Sequence, residues 1–306
     1  MKNSEISLSE YRNFKYQLNQ EGIPLQEVEG KFKNYRSNFD YNFIPLVSYS
    51  NDINGGNPSK PLELGSYEFI GATALESKSG ILLGLEAGVQ NRYFYDYERY
   101  VESLVGARYD FSPKYSQSIR SSNIRLCSKN HLKDWWYLDS CLERKSTKKY
   151  LTTNKNSELS LKVSKLEQFY PNHFTETSFA LSENSYDSQN QMLSQVLLKT
   201  AHNANLVSKF SLKLGKPIPK QSHLNKQIEA SLGSIIGAVP IELRFSYYEL
   251  KGGLILGFPV KERNSSISVE VAINRRIKLT VGVEKNNSNL TYFEDENLIF
   301  SISLLN

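Results

Sequence analysis

The stretch Ile267-Ser268-Val269-Glu270-Val271-Ala272-Ile273-Asn274, followed by Arg275-Arg276 and then Ile277-Lys278-Leu279-Thr280-Val281-Gly282-Val283-Glu284, decides the fold. Every second residue is aliphatic, and those between are polar, charged or small. A period of two puts successive side chains on opposite faces, so each half is a strand with one dry face and one wet face. The short polar link reads as the turn of an antiparallel hairpin. The wet face carries Glu270, Lys278 and Glu284. The aliphatic face requires either a protein core or lipid.

The same alternation recurs upstream. Leu159-Ser160-Leu161-Lys162-Val163 shows it, as does Leu206-Val207-Ser208-Lys209-Phe210-Ser211-Leu212-Lys213-Leu214. Ile228 and Leu232 alternate with Glu229 and Ser231, Leu243 and Phe245 with Glu242 and Arg244, and Leu298, Phe300, Ile302 and Leu304 with Ser301 and Ser303. Residues 81–95 and 97–111 form a further hairpin. Phe174 to Leu181 and Gln191 to Thr200 are less regular strands. Polar Lys145 to Asn156 reads as a loop, and Gly252-Gly253 reads as a turn. About twelve to sixteen strands fit between residue 41 and the C-terminus. The best value is about fourteen, since roughly nineteen residues each matches a membrane strand with its share of two connections.

The wet face favours lipid over a protein core. Lys162, Lys209, Lys213, Glu229, Glu242, Arg244, Glu270, Lys278 and Glu284 all fall in mid-strand, where mixed charges suit a water-filled lumen. A sheet this long also needs closure to remove its edges. The expectation is all-β: an antiparallel transmembrane β-barrel over residues 41–306, preceded by a short helical segment over 1–40. That segment opens on Ser7 and carries Tyr11, Phe14 and Leu18 at helical spacing. Tyr93, Tyr95, Tyr97, Trp135 and Trp136 crowd hairpin tips and are expected to form an aromatic girdle at one membrane interface. The soluble alternative is an exported or viral β-protein that binds glycans through those Tyr and Trp residues.

Composition narrows the function classes. The net charge is +5 on 306 residues and is scattered, with no basic stripe interleaved with stacking aromatics, so no nucleic-acid partner is expected. The mean hydropathy of −0.47 and the lack of a long apolar run argue against spanning helices. Met1 to Glu5 has no apolar leader character, so an exported barrel implies a signal peptide absent from this chain. Cys127 and Cys141 flank a turn and are placed to meet across one hairpin as a disulfide; the alternative is two unrelated small residues. Asn51 to Pro58 is rich in oxygen donors but holds one carboxylate and lacks the calcium-loop spacing, so no metal and no cofactor is expected. His131, His173, His202 and His223 sit in no metalloprotease pattern, and no nucleophile elbow occurs, so the chain is not expected to be an enzyme. A barrel hydrolase requires a Ser or Asp within hydrogen-bond reach of one of those four histidines.

The long amphipathic hairpins, aromatic tips and terminal strand resemble a Gram-negative outer-membrane β-barrel over residues 41–306. The stretch Phe43-Ile44-Pro45-Leu46-Val47-Ser48-Tyr49-Ser50-Asn51-Asp52-Ile53-Asn54-Gly55-Gly56 also resembles the start of the barrel in surface lipoprotein assembly modifiers. That resemblance implies a helical-repeat periplasmic domain ahead of a barrel of about fourteen strands, residues 1–40 corresponding to its last helices. It also implies a role in delivering lipoproteins to the cell surface. The expected location is the outer membrane, the expected partners are its lipid and either a small solute or a lipoprotein client, and the expected function is a passage or an assembly platform.

Overall fold

A computed structural model describes residues 37–304 except 59, 65, 66, 71, 97, 98, 134, 171, 172, 187, 188, 203–205, 220, 237, 238, 256, 275 and 276. The helical expectation for residues 1–40 falls mainly on 1–36, outside the described residues, and strand already begins at Ser37. Among the described residues sixteen strands follow in chain order. They are β1 (Ser37–Ser50), β2 (Leu62–Leu64), β3 (Tyr67–Phe69), β4 (Gly80–Asp96), β5 (Arg99–Ser112), β6 (Gln117–His131), β7 (Trp136–Lys148) and β8 (Thr153–Tyr170). Then come β9 (His173–Tyr186), β10 (Gln189–His202), β11 (Leu206–Gly215), β12 (His223–Ile236), β13 (Val239–Ile255), β14 (Phe258–Asn274), β15 (Ile277–Ser288) and β16 (Asp295–Leu304).

All but β2 and β3 form one closed barrel in which every neighbouring pair is antiparallel. The barrel has fourteen strands, as the strand arithmetic anticipated. Closure is made by β1, which pairs with β4 along its whole length and with β16 through Leu46↔Ser303, Val47↔Ile302 and Ser48↔Ser301. A closed ladder leaves no unpaired edge, the requirement for backbone placed in lipid.

The deciding hairpin is β14–β15, with Ile267 opposite Val283, Val269 opposite Val281 and Val271 opposite Leu279. Ile267, Val269, Val281 and Val283 are exposed on the outside of the barrel, and Val271 and Leu279 share their face. The two faces separate clearly on β4, where Ile81 and Leu83 are 59% and 50% exposed while Leu82 between them is 2% exposed. An exposed aliphatic belt around a closed barrel is unfavourable in water and favourable in hydrocarbon. Among the described residues the barrel interior has no continuous apolar core; its buried residues include several Ser together with Asp and Glu.

Two local expectations are corrected. Residues 145–148 and 153–156 continue β7 and β8, paired from Lys148↔Thr153 to Lys145↔Asn156, so the loop is confined to the intervening turn. Their polarity reflects strand ends that run past the aliphatic belt and carry polar residues on both faces, which obscures the alternation without ending the ladder. Gly252 and Gly253 do not end β13. Both have left-handed φ, +82° and +72°, and form an irregularity in the pairing with β14 between Gly252 and Leu254. A Cβ at Gly252 would collide with the Gln221 carbonyl oxygen, so glycine fits both the backbone twist and the close approach there.

Candidate functional site: the lumen and its strap

The inward face follows from the strand registers. Leu82, Cys127, Asp139, Lys162 and Glu176 lie on the side opposite the exposed aliphatic residues. Cys127 is the register partner of Cys141, and the two sulfurs are bonded across β6 and β7.

Charged side chains on this face are joined into networks. Across β4–β6, Glu102 holds Arg92 at 3.0 Å and Arg125 at 3.8 Å. Across β6–β9, Asp139 lies between Lys129 and Lys162, 3.4 Å from each, and Lys162 reaches Glu176 at 3.7 Å. Across β13–β15, Arg244 bonds Glu242 at 2.6 Å and Glu270 at 3.4 Å, and Lys278 lies 3.5 Å from the other oxygen of Glu270. Arg108 grips Asp110 through two nitrogens, at 2.7 and 3.0 Å. Such chains of alternating charge brace a polar wall while leaving fixed fields along it.

The other charged positions singled out in the sequence fall as follows. Glu229 accepts from Gln227 at 2.8 Å and Glu284 accepts from Asn264 at 2.6 Å. Lys213 is opposite Gln195, and Lys209 is opposite Lys199. Two lysines thus stand side by side on β10 and β11, on the face shared with buried Ser211 and opposite exposed Leu198 and Phe210. Arg92, Glu102, Arg125, Lys129, Asp139, Glu176 and Lys199 were not singled out, because their partners are defined by register between strands and not by any spacing within one.

The aromatic set divides. Tyr93 and Tyr95 are exposed, and Trp136 is exposed with the Lys165 ammonium 5.5 Å from its ring centre. Tyr97 lies outside the described residues. Trp135 departs from the girdle. Its φ of +66° turns it against Tyr137, Leu166 and Phe174, which are buried on the inward side, and its carbonyl accepts the Leu166 N–H at 3.1 Å.

One connection enters the lumen. The described residues between β1 and β4 form a strap. At its root, Ile53 is fully buried against inward Leu82 and Ile119. Asp52 accepts the Gly55 and Gly56 N–H groups at 2.8 and 3.0 Å with one oxygen and Lys149 at 2.7 Å with the other. The Asn54 carbonyl takes the Leu151 N–H at 2.8 Å, tying the strap to the β7–β8 turn. Its outgoing and returning legs hold together through Asn57, whose N–H bonds the Leu75 carbonyl and whose carbonyl takes the Ser77 N–H, and through the β2–β3 pairing. At the far end Leu62 packs with Val260 and Leu290, flanked by Ile255, Tyr292 and Phe293, while Lys60 donates to the Glu294 carbonyl at 2.7 Å. In the ring order β7 and β14 stand seven places apart in either direction. The strap therefore runs from one wall to the opposite one and crosses the mouth.

Between strap and rim is a cavity of about 640 Å³, lined by Asp52 and Lys149 on one side and by Phe69, Ile70, Ile255 and Tyr292 on the other. Burial pushes the Tyr292 phenol above its ordinary value, so it stays neutral as an apolar wall with one hydroxyl. Among the described residues no group of three His, Cys, Asp or Glu side chains is placed to hold a metal ion.

One histidine does meet a hydroxyl. His202 Nε2 lies 2.8 Å from Ser208 Oγ, and its ring stands edge-on to His173 at 4.6 Å. Among the described residues no carboxylate or amide side chain bonds the other ring nitrogen.

No known family model and no curated protein matches the chain. Solved structures similar to it include the outer membrane protein opdK from Pseudomonas aeruginosa, 5% identical, with 88% of this chain and 98% of that one covered at a TM-score of 0.43. Another is a BenF-like porin from Pseudomonas fluorescens Pf-5, 7% identical, covering 89% and 99% at 0.45. A third is Pseudomonas putida OprB, 6% identical, covering 92% and 96% at 0.48. The resemblance to surface lipoprotein assembly modifiers gains no support from these likenesses.

Proposed function

We propose that this protein is an outer-membrane channel for small hydrophilic solutes, narrowed by the strap at one mouth and biased toward anions by the lysines of β10 and β11. The carrying observation is the pairing of an outward aliphatic belt with an inward wall of ion-pair networks. That combination suits a barrel that faces lipid and encloses water. Lys199, Lys209 and Lys213 line one sector of that wall. A second reading, an assembly platform for lipoproteins, needs the closed wall but not an open lumen; the strap across the mouth is compatible with it.

Planar-bilayer recording separates the two. Under a salt gradient the wild-type channel is expected to give a reversal potential of anionic sign, and Lys199→Glu/Lys209→Glu is expected to move it toward the cationic sign. A folded, inserted protein without conductance supports the platform. Conductance with no change of selectivity in the double variant removes the lysine sector from the account.

A further inference from the structure

The outer face of the barrel is not aliphatic throughout. On β6, β7 and β8 the outward positions run through Leu126, Ile124, Leu142, Leu159 and Leu161, all exposed. Continuing along the same face toward the strap end, they become Arg144, Lys148, Lys155 and Arg120, also exposed. The registers bring these four cations together: Ile124 opposes Arg144, Arg120 opposes Lys148, Ser146 opposes Lys155 and Arg144 opposes Ser157. The Arg120 guanidinium lies 5.8 Å from the centre of the Tyr109 ring. Among the described residues no carboxylate forms an ion pair with Arg120, Arg144, Lys148 or Lys155. Small hydroxyls at Ser122, Ser146 and Ser157 fill the outward positions between them.

The depth of this patch is specific. It begins one outward position beyond the aliphatic belt, at the end of the barrel where the strap and the connections over residues 216–222 and 289–294 lie. The connections at the other end are short: β4 ends at Asp96 and β5 begins at Arg99, β12 ends at Ile236 and β13 begins at Val239. Long connections mark the external side of such barrels. Cations just past the hydrocarbon edge lie at headgroup level, where long basic side chains reach outward and meet phosphate.

We propose that Arg120, Arg144, Lys148 and Lys155 form an external binding site for the phosphate-bearing headgroup of an anionic membrane lipid, in the leaflet on the strap side. The site rests on the reading that the barrel spans a membrane, but not on its conducting. Arginine supplies planar forks for phosphate oxygens, and lysine supplies point charges beside them. Four cations that form no ion pair among the described residues suit a headgroup carrying more than one phosphate.

The test is native mass spectrometry of the folded full chain in a neutral detergent, titrated separately with cardiolipin, which has two phosphates, and with phosphatidylcholine. The wild type is expected to retain cardiolipin and not phosphatidylcholine. Arg144→Ser/Lys148→Ser/Lys155→Ser is expected to weaken cardiolipin retention on the order of a hundredfold, at about fivefold per cation near an anionic surface. Lys145→Ser/Lys209→Ser/Lys213→Ser removes the same charge from the inward face and is expected to retain cardiolipin as the wild type does. If the outer triple variant fails to fold, Arg144→Ser and Lys155→Ser singly are each expected to weaken retention about fivefold. Undiminished cardiolipin retention in the outer variants, an equal loss in the inward variant, or equal wild-type retention of phosphatidylcholine overturns the proposal. A loss confined to the outer variants, with conductance unchanged, supports the site independently of the channel.

Discussion

At the scale of single residues, the inward wall depends on charges that have partners. Asp139 is 2% exposed and is the carboxylate shared by Lys129 and Lys162. Asp139→Ala leaves the buried Lys129 ammonium facing a second ammonium with no carboxylate between them. Removing one member of a buried pair typically costs about 3–5 kcal/mol. The expected result is a clear fall in the urea midpoint of the folded barrel in micelles, larger than that of Lys145→Ala, whose Glu143 contact at 3.0 Å is mainly exposed. Equal effects from the two substitutions would show that the Asp139 bridge is solvated and structurally minor. The bridge between Lys129 and Asp139 was not legible in the sequence. Lys129 and Asp139 are ten residues apart, and only the β6–β7 register makes them neighbours. The charged residues that were singled out, such as Lys162 and Glu270, stood out because their own strands alternate cleanly.

At the scale of elements, the alternation in β14 and β15 was readable because a slip of one residue would exchange the two faces, so the pattern and the register specify each other. The ends of β7 and β8 were not readable, since strand with polar residues on both faces has no such contrast. The strap was legible only as a run of Asn, Gly and Pro. Its path is fixed by contacts from distant parts of the chain: Asp52 with Lys149, and Leu62 with Val260 and Leu290. Turn chemistry predicts a loop but not which wall it reaches. The β6–β7 hairpin adds a covalent tie, and Cys127 and Cys141 are separated by 14 residues. Closing a loop of that size is worth about 3 kcal/mol in the chain-entropy account. Cys127→Ser/Cys141→Ser is therefore expected to fold into the same barrel with a lower urea midpoint, and reducing agent is expected to lower the wild-type midpoint similarly. A midpoint unaffected by either change would mean that ladder pairing alone holds the hairpin.

At the scale of the whole molecule, three features combine: a barrel closed between β1 and β16, an aliphatic outside, and a charged inside crossed at one mouth by the strap. The strap is anchored to β7–β8 on one side and to β13–β15 on the other, so it stands in the path of any solute that uses the lumen. The most direct test is single-channel conductance in planar bilayers for the wild type and for a variant in which residues 57–75 are replaced by a short Gly-Ser linker. The wild type is expected to conduct in small, resolved steps, and the variant in steps severalfold larger. Equal conductance in the two would contradict a strap that narrows the passage, and silence from both folded, inserted proteins would contradict the channel itself.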